Sequence, residues 1–145
     1  MKPKISILLP TRGRSDMLDR SLSSLLDHAD SPDEIEFLLC FDDDDTASQE
    51  YFLENIAPKF EAVDAAYTIF EVARLGYENL HKYVNLLGKH AQADWWVFWN
   101  DDAIMQDDHW DTVIASCDKF CVQQFDTHNM HPYSIFPIVR RNWFD

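Results

Sequence analysis

Two kinds of hydrophobic pattern alternate along the chain. Lys4-Ile5-Ser6-Ile7-Leu8-Leu9 is a short β-branched and leucine-rich run closed by Pro10, the profile of a strand buried on both faces. Ser15 stands where a helix cap belongs, with Leu18, Leu22, Leu25 and Leu26 at helical spacing and Asp16 in the first turn. That helix is expected to end near Asp30-Ser31-Pro32. A second apolar run, Ile35 to Phe41, breaks at Asp42-Asp43-Asp44-Asp45, and a helix from Ala47 to Ala57 follows, ended by Pro58. Ala66 to Phe70 reads as a third strand. Leu75-Gly76 then opens a helix from Tyr77 to His90, with Leu80, Tyr83, Val84 and Leu87 on one face. The aromatic run Trp95-Trp96-Val97-Phe98-Trp99 is a fourth strand that runs straight into Asn100-Asp101-Asp102. Asp108 to Cys117 places Trp110, Val113, Ile114 and Cys117 at helical spacing, and two weaker strands lie near Phe120 to Phe125 and Ser134 to Val139.

Strands that alternate with helices, several of them continuously apolar, imply an α/β fold: a mostly parallel central sheet with helices on both faces. No repeat, low-complexity stretch or linker divides it, so residues 1–145 form one domain. In such sheets ligands bind beyond the carboxyl ends of the strands. The residues there are Pro10-Thr11-Arg12-Gly13-Arg14, Asp42 to Asp45 and Asn100-Asp101-Asp102, so two acidic clusters and one basic loop converge on one edge.

Charge narrows the ligand. Twelve Lys and Arg against 26 Asp and Glu leave a net charge of −14, which excludes a broad basic surface for duplex nucleic acid. A polyanionic ligand therefore needs a metal ion or a few placed arginines. No run reaches the roughly 20 apolar residues of a membrane helix, and the start of the chain lacks a secretory core, so the expected compartment is the cytoplasm. Cys40, Cys117 and Cys121 are odd in number and lack C-x-x-C spacing, which argues for reduced thiols over a disulfide framework or structural zinc.

The chemistry at the strand ends has two readings. Asp101 and Asp102 are hard oxygen donors suited to Mg²⁺ or Mn²⁺, or else a solvated turn. Asp42 to Asp45 are a functional cluster or a solvated like-charge run. Arg12 and Arg14 can hold phosphate oxygens with planar guanidinium forks, or pair with the nearby aspartates. Gly13, Gly76 and Gly88 form neither GxGxxG nor a P-loop, and no GxSxG elbow exists. His128 and His131 read as exposed loop residues before they read as ligands, and the tryptophans as core, with one possible stacking surface.

Taken in order, these residues resemble a family 2 glycosyltransferase, the nucleotide-sugar-dependent group with the Rossmann-like GT-A fold. Ile5 through Arg14 resembles the opening strand and its Pro-Thr-x-x-Arg turn. Phe41-Asp42-Asp43-Asp44-Asp45-Thr46 resembles the "DDGST" segment, with Asp44 in place of the usual glycine. Gly76-Tyr77-Glu78-Asn79, leading to Asn85 and Ala93-Asp94, resembles the helix before the metal motif. Asn100-Asp101-Asp102 resembles that motif, DxD, and Phe136 to Arg141 a later strand. The resemblance implies a nucleotide-sugar site of Pro10, Thr11, Arg12, Arg14, Asp42, Asp43, Gly76, Asn79 and Asp101. It implies Mg²⁺ or Mn²⁺ on Asp102, with Asp101 as second ligand or ribose contact, and a UDP- or GDP-sugar as donor. The implied reaction is transfer of the sugar to an acceptor hydroxyl with inversion. The family's carboxylate base lies beyond the point where this chain stops, and Asp145 is a poor substitute, so no catalytic residue is assigned. The competing expectations are a non-catalytic nucleotide-sugar module, a homo-oligomer or partner chain that completes the site, and an acidic protein-interaction domain.

Overall fold

The computed structural model describes residues 2–126 and 136–143; His128, His131, Ser134 and Asp145 lie outside the described residues. Six strands form one sheet: β1 (Ile5–Thr11), β2 (Ile35–Asp42), β3 (Ala66–Val72), β4 (Trp95–Phe98), β5 (Gln123–Gln124) and β6 (Pro137–Arg140). Their order is β3-β2-β1-β4-β6-β5. The first four are mutually parallel, and β6 and β5 add an antiparallel flank. The chain moves outward from β1 to β3 and then crosses to the other side of β1 for β4. A reversal of this kind opens a crevice beyond the carboxyl ends of β1 and β4.

Period-two alternation splits the apolar strands between two cores. Ile5, Ile7 and Leu9 of β1, Phe37, Leu39 and Phe41 of β2, and Val97 of β4 face the larger core. It is covered by α1 (Ser15–His28), by the helical stretch from α2 (Thr46–Tyr51) to α3 (Ala57–Ala62), and by α5 (Trp110–Ala115). Leu8, Leu38, Cys40 and Trp96 face the smaller core under α4 (Leu80–His90). Each buried leucine or phenylalanine there contributes about 1.5–3 kcal/mol. Gly88 lets α4 approach closely, since a Cβ on it would stand 3.1 Å from the Trp96 ring.

Five local expectations change. β1 continues through Pro10 to Thr11, because β4 leaves the ladder after Leu8 pairs with Phe98. The nitrogen of Pro10, on the β4 side, therefore lacks no partner that another residue would have found. Ser15 is the first residue of α1 and Arg14 holds the cap position, with no side-chain cap bond. The helix does not stop at Pro58. A π turn over Phe52–Ile56 carries it through to Ala62, the Ala57 amide reaching back to the Phe52 carbonyl. The widened turn absorbs the register that a proline without an N–H would break. Val113 points to solvent, although Trp110 and Ile114 are buried. The fourth strand ends at Phe98, one residue before Trp99.

Candidate functional site

A cleft of about 440 Å³ opens at the carboxyl edge, lined by residues that follow β1, β2, β3 and β4. Pro10 and Thr11 come from the end of β1, Arg12 and Arg14 from the loop after it, Asp42 from the end of β2, Gly76 from the β3–α4 connection, and Asn100, Asp101 and Asp102 from the turn after β4. The topology thus brings together most of the residues that the strand ends suggested. Asp43 is exposed and outside the lining; its backbone N–H donates to the Val72 carbonyl. Asn79 is outside it too, its side-chain amide donating 2.8 Å to the Leu75 carbonyl, which braces the cleft loop from behind.

Asp42 is the floor of one wall. Its side chain is buried, and its oxygens accept from the Tyr83 hydroxyl at 2.5 Å and from the Arg12 guanidinium at 2.9 Å. The Tyr83 hydroxyl in turn accepts the Leu75 N–H at 2.8 Å. Burial and then the hydrogen bond to Asp42 push the Tyr83 hydroxyl above its ordinary pKa, so it remains a donor. Arg12 also grips Asp44 with both terminal nitrogens, and the Gly13 N–H donates 2.8 Å to Asp45. That pairing holds Asp44 below the usual carboxylate range. The aspartates after β2 therefore divide: Asp42 faces the cleft, while Asp44 and Asp45 tie the first loop to the second.

The opposite wall is the turn after β4, which α1 holds from behind. Buried Ser21 accepts the Trp99 indole N–H at 2.8 Å and donates to the Asn100 carbonyl at 3.2 Å. Ser24 accepts the Met105 N–H at 2.9 Å. Two serines on an otherwise leucine-rich helix face thus fix the path of the chain as it leaves β4. Asp101 is buried and accepts from Thr11 Oγ1 at 2.8 Å, while Asp102 is half-exposed. Arg14 lies 3.4 Å from Asp101 and 3.6 Å from Asp102, a loose pair open to solvent that a ligand can displace at small cost.

Besides the apolar Leu80, sequence reasoning missed three cleft residues. Tyr83 lies on the apolar stripe of α4, and only the fold shows that its hydroxyl reaches Asp42. Arg74 and Tyr77 also line the cleft, Tyr77 with 89% of its surface exposed. Gly76, between them, has φ of +81°, a conformation that side chains other than glycine rarely adopt. The cationic Arg12, Arg14 and Arg74 face the carboxylates across one opening, so the cleft can take a ligand with both hydrogen-bond donors and negative charge.

Asp101 and Asp102 offer hard oxygens, and no group of three or more His, Cys, Asp or Glu able to hold a metal ion occurs among the described residues. Such a pair fits Mg²⁺ or Mn²⁺ only as a shared ion, since these cations use one or two protein carboxylates and complete their shell with water and ligand phosphates. No helix among the described residues is long and apolar enough to cross a membrane.

The family model described as glycosyl transferase family 2 matches residues 6–143. Among solved structures, the mannosyltransferase PcManGT from Pyrobaculum calidifontis, in complex with GDP-Man and Mn²⁺, superposes with a TM-score of 0.70 at 14% identity, over 98% of this chain and 46% of its own. The S. aureus protein TarS, residues 1–349, superposes with a TM-score of 0.66 at 17% identity, over 90% of this chain and 38% of its own. A complex of the same protein with UDP gives 0.63. The chain therefore spans less than half the length of these neighbours, and the likeness establishes a shared GT-A, Rossmann-like fold. No curated protein matches the sequence.

Proposed function

The chain belongs to glycosyl transferase family 2, and from that premise we propose that it binds a nucleotide-diphosphate sugar in the carboxyl-edge cleft and transfers the sugar, with inversion, to an acceptor hydroxyl. One observation carries the reading: Asp42, Asp101 and Asp102 line a single cleft together with three arginines, although they come from separate stretches of the chain.

Asp42, an acceptor fixed by Tyr83 and Arg12, reads the N–H donors of a uracil or guanine edge. Thr11 and Asp101 contact the ribose. Arg14 releases the aspartates and turns its fork to phosphate oxygens, a geometry guanidinium matches well. Asp102, with Asp101 behind it, would hold Mg²⁺ or Mn²⁺, which when bound supplies charge neutralisation for the departing diphosphate. In a chain of net charge −14 that neutralisation would add to the charge that the three arginines of the cleft supply. No described residue is assigned as the base that deprotonates the acceptor.

Titration calorimetry with UDP and with GDP, each with and without Mn²⁺, tests the site. The expected result is metal-dependent affinity for one of the two, lost in Asp102→Ala. If neither nucleotide binds with Mn²⁺ present, or the variant binds as the parent does, the site is misassigned. Incubation with the donor then separates a transferase, which releases nucleoside diphosphate, from a module that binds without turnover.

A further inference from the structure

The antiparallel flank carries a second chemical feature, remote in sequence from the cleft residues. Cys117 follows the end of α5 and Cys121 precedes β5, and their sulfurs stand 3.6 Å apart. Both are half-buried against the larger core. The Cys117 backbone is held on each side. Its N–H donates 3.3 Å to the Ile114 carbonyl, and its carbonyl accepts from Arg140 Nη2 at 2.8 Å. Arg140 itself lies over the Trp95 ring, 4.6 Å from the centroid. Cys117 is thus anchored to α5 and β6, with Cys121 packed beside it against the same core.

We propose that Cys117 and Cys121 are a redox-active dithiol that closes to an intramolecular disulfide by exchange with a low-molecular-weight disulfide. The sulfurs must approach by about 1.5 Å to reach the bonded distance, a displacement that side-chain rotation can supply. In the first step one cysteine thiolate attacks the small disulfide, forming a mixed disulfide and releasing one thiolate. In the second step the neighbouring cysteine attacks the bound protein sulfur, breaks the mixed bond and releases the second thiolate. The protons of the two cysteines end on the two released thiols, so the protein is oxidised by two electrons and the small disulfide reduced by two. The closed form ties the end of α5 to the approach to β5. The hydrogen bond to Cys117 and then burial hold the Cys121 thiol above its ordinary range, against a smaller opposing pull from Arg140 and Lys119.

Cys40 provides an internal contrast. It is buried under α4, and burial followed by the charge of Asp42 pushes its thiol up to about 12, so it exchanges only after unfolding. Native protein is equilibrated with glutathione and glutathione disulfide over a range of ratios and weighed intact beside Cys117→Ser and Cys121→Ser. The parent is expected to lose two hydrogens, to carry no adduct, and to yield a peptide that links Cys117 with Cys121. Each variant is expected to gain one glutathionyl adduct, and only at an oxidised fraction at least ~10-fold higher, because the second step in the parent is intramolecular. The proposal is overturned if the parent accumulates adducts at the same ratios as the variants, or keeps both thiols alkylatable throughout.

Discussion

The two edges of the sheet use the same side chains for opposite ends. At the amino edge, buried Asp111 accepts the backbone N–H groups of Asp30 and Ser31 at 2.8 and 2.9 Å. Asp30 accepts from His109 and Thr112, Asp108 pairs with His28, and Glu34 with Lys4. Asp111 closes a chain reversal by satisfying its main-chain donors, and the other carboxylates pair side chains across the same edge. At the carboxyl edge, Asp42, Asp101 and Asp102 are held by hydroxyls and arginines, partners that can turn to a ligand. Net charge does not distinguish the two sets. What distinguishes them is whether the carboxylate's partners tie the chain to itself or stand beside an open cleft.

Four experiments break or sharpen that contrast. Asp111→Ala strands two backbone donors, and we expect a loss of about 3 kcal/mol in urea-determined stability, within the range for unsatisfied buried groups. Nucleotide affinity of the folded fraction stays at the parent value; if stability is unchanged, Asp111 is not structural. Asp42→Asn has the converse profile. Affinity for the bound nucleotide falls by roughly 30-fold, about 2 kcal/mol, by calorimetry. Stability moves by less than about 1 kcal/mol, since Arg12 keeps Asp44 and is partly solvated.

Ser21→Ala tests the border between the two behaviours, because α1 serves both edges. Losing the bonds to Trp99 and Asn100 is expected to cost about 1–2 kcal/mol in stability and, by loosening the Asp101-Asp102 turn, severalfold in metal-dependent affinity. An intact affinity would show that the turn holds itself. The smallest effect is a pH dependence. Asp30, by hydrogen bond and then by charge, holds the imidazole of His109 above its ordinary 6.5. A proton bound more tightly in the folded state stabilises it fully below pH 6.5, and that contribution disappears as pH rises through the raised value. His109→Gln should therefore flatten the decline in thermal midpoint above pH 6.5, and a parallel decline in both proteins would assign it to another group.

Much of this was legible before any coordinates. A strand buried on both faces must be apolar at successive positions, so the runs at Ile5, Ile35 and Trp95 declared themselves. Polar residues immediately after such runs can lie only at a sheet edge, which placed Thr11, Asp42 and Asp101 correctly. Helix ends were less readable. Pro58 ought to stop a helix, and it does not because a π turn just before it absorbs the missing bond. Tyr83 could not be recognised as a site residue, since a tyrosine on an apolar stripe packs as core whether or not its hydroxyl finds a carboxylate.

By itself, then, the order of apolar and polar residues determined the layering, the parallel half of the sheet and the edge where the cleft opens. These follow from local periodicity and from the cost of burying unpaired polar groups, and both can be counted along a chain. The tertiary structure alone decided which charges meet. Thr11 and Asp101 are 90 positions apart, and Tyr83 and Asp42 are 41. Arg12 is bound to Asp42 and Asp44, whereas Arg74 stays turned to the cleft. Such pairings depend on strand order and on the angle at which each connection leaves the sheet, quantities that no spacing in the sequence encodes.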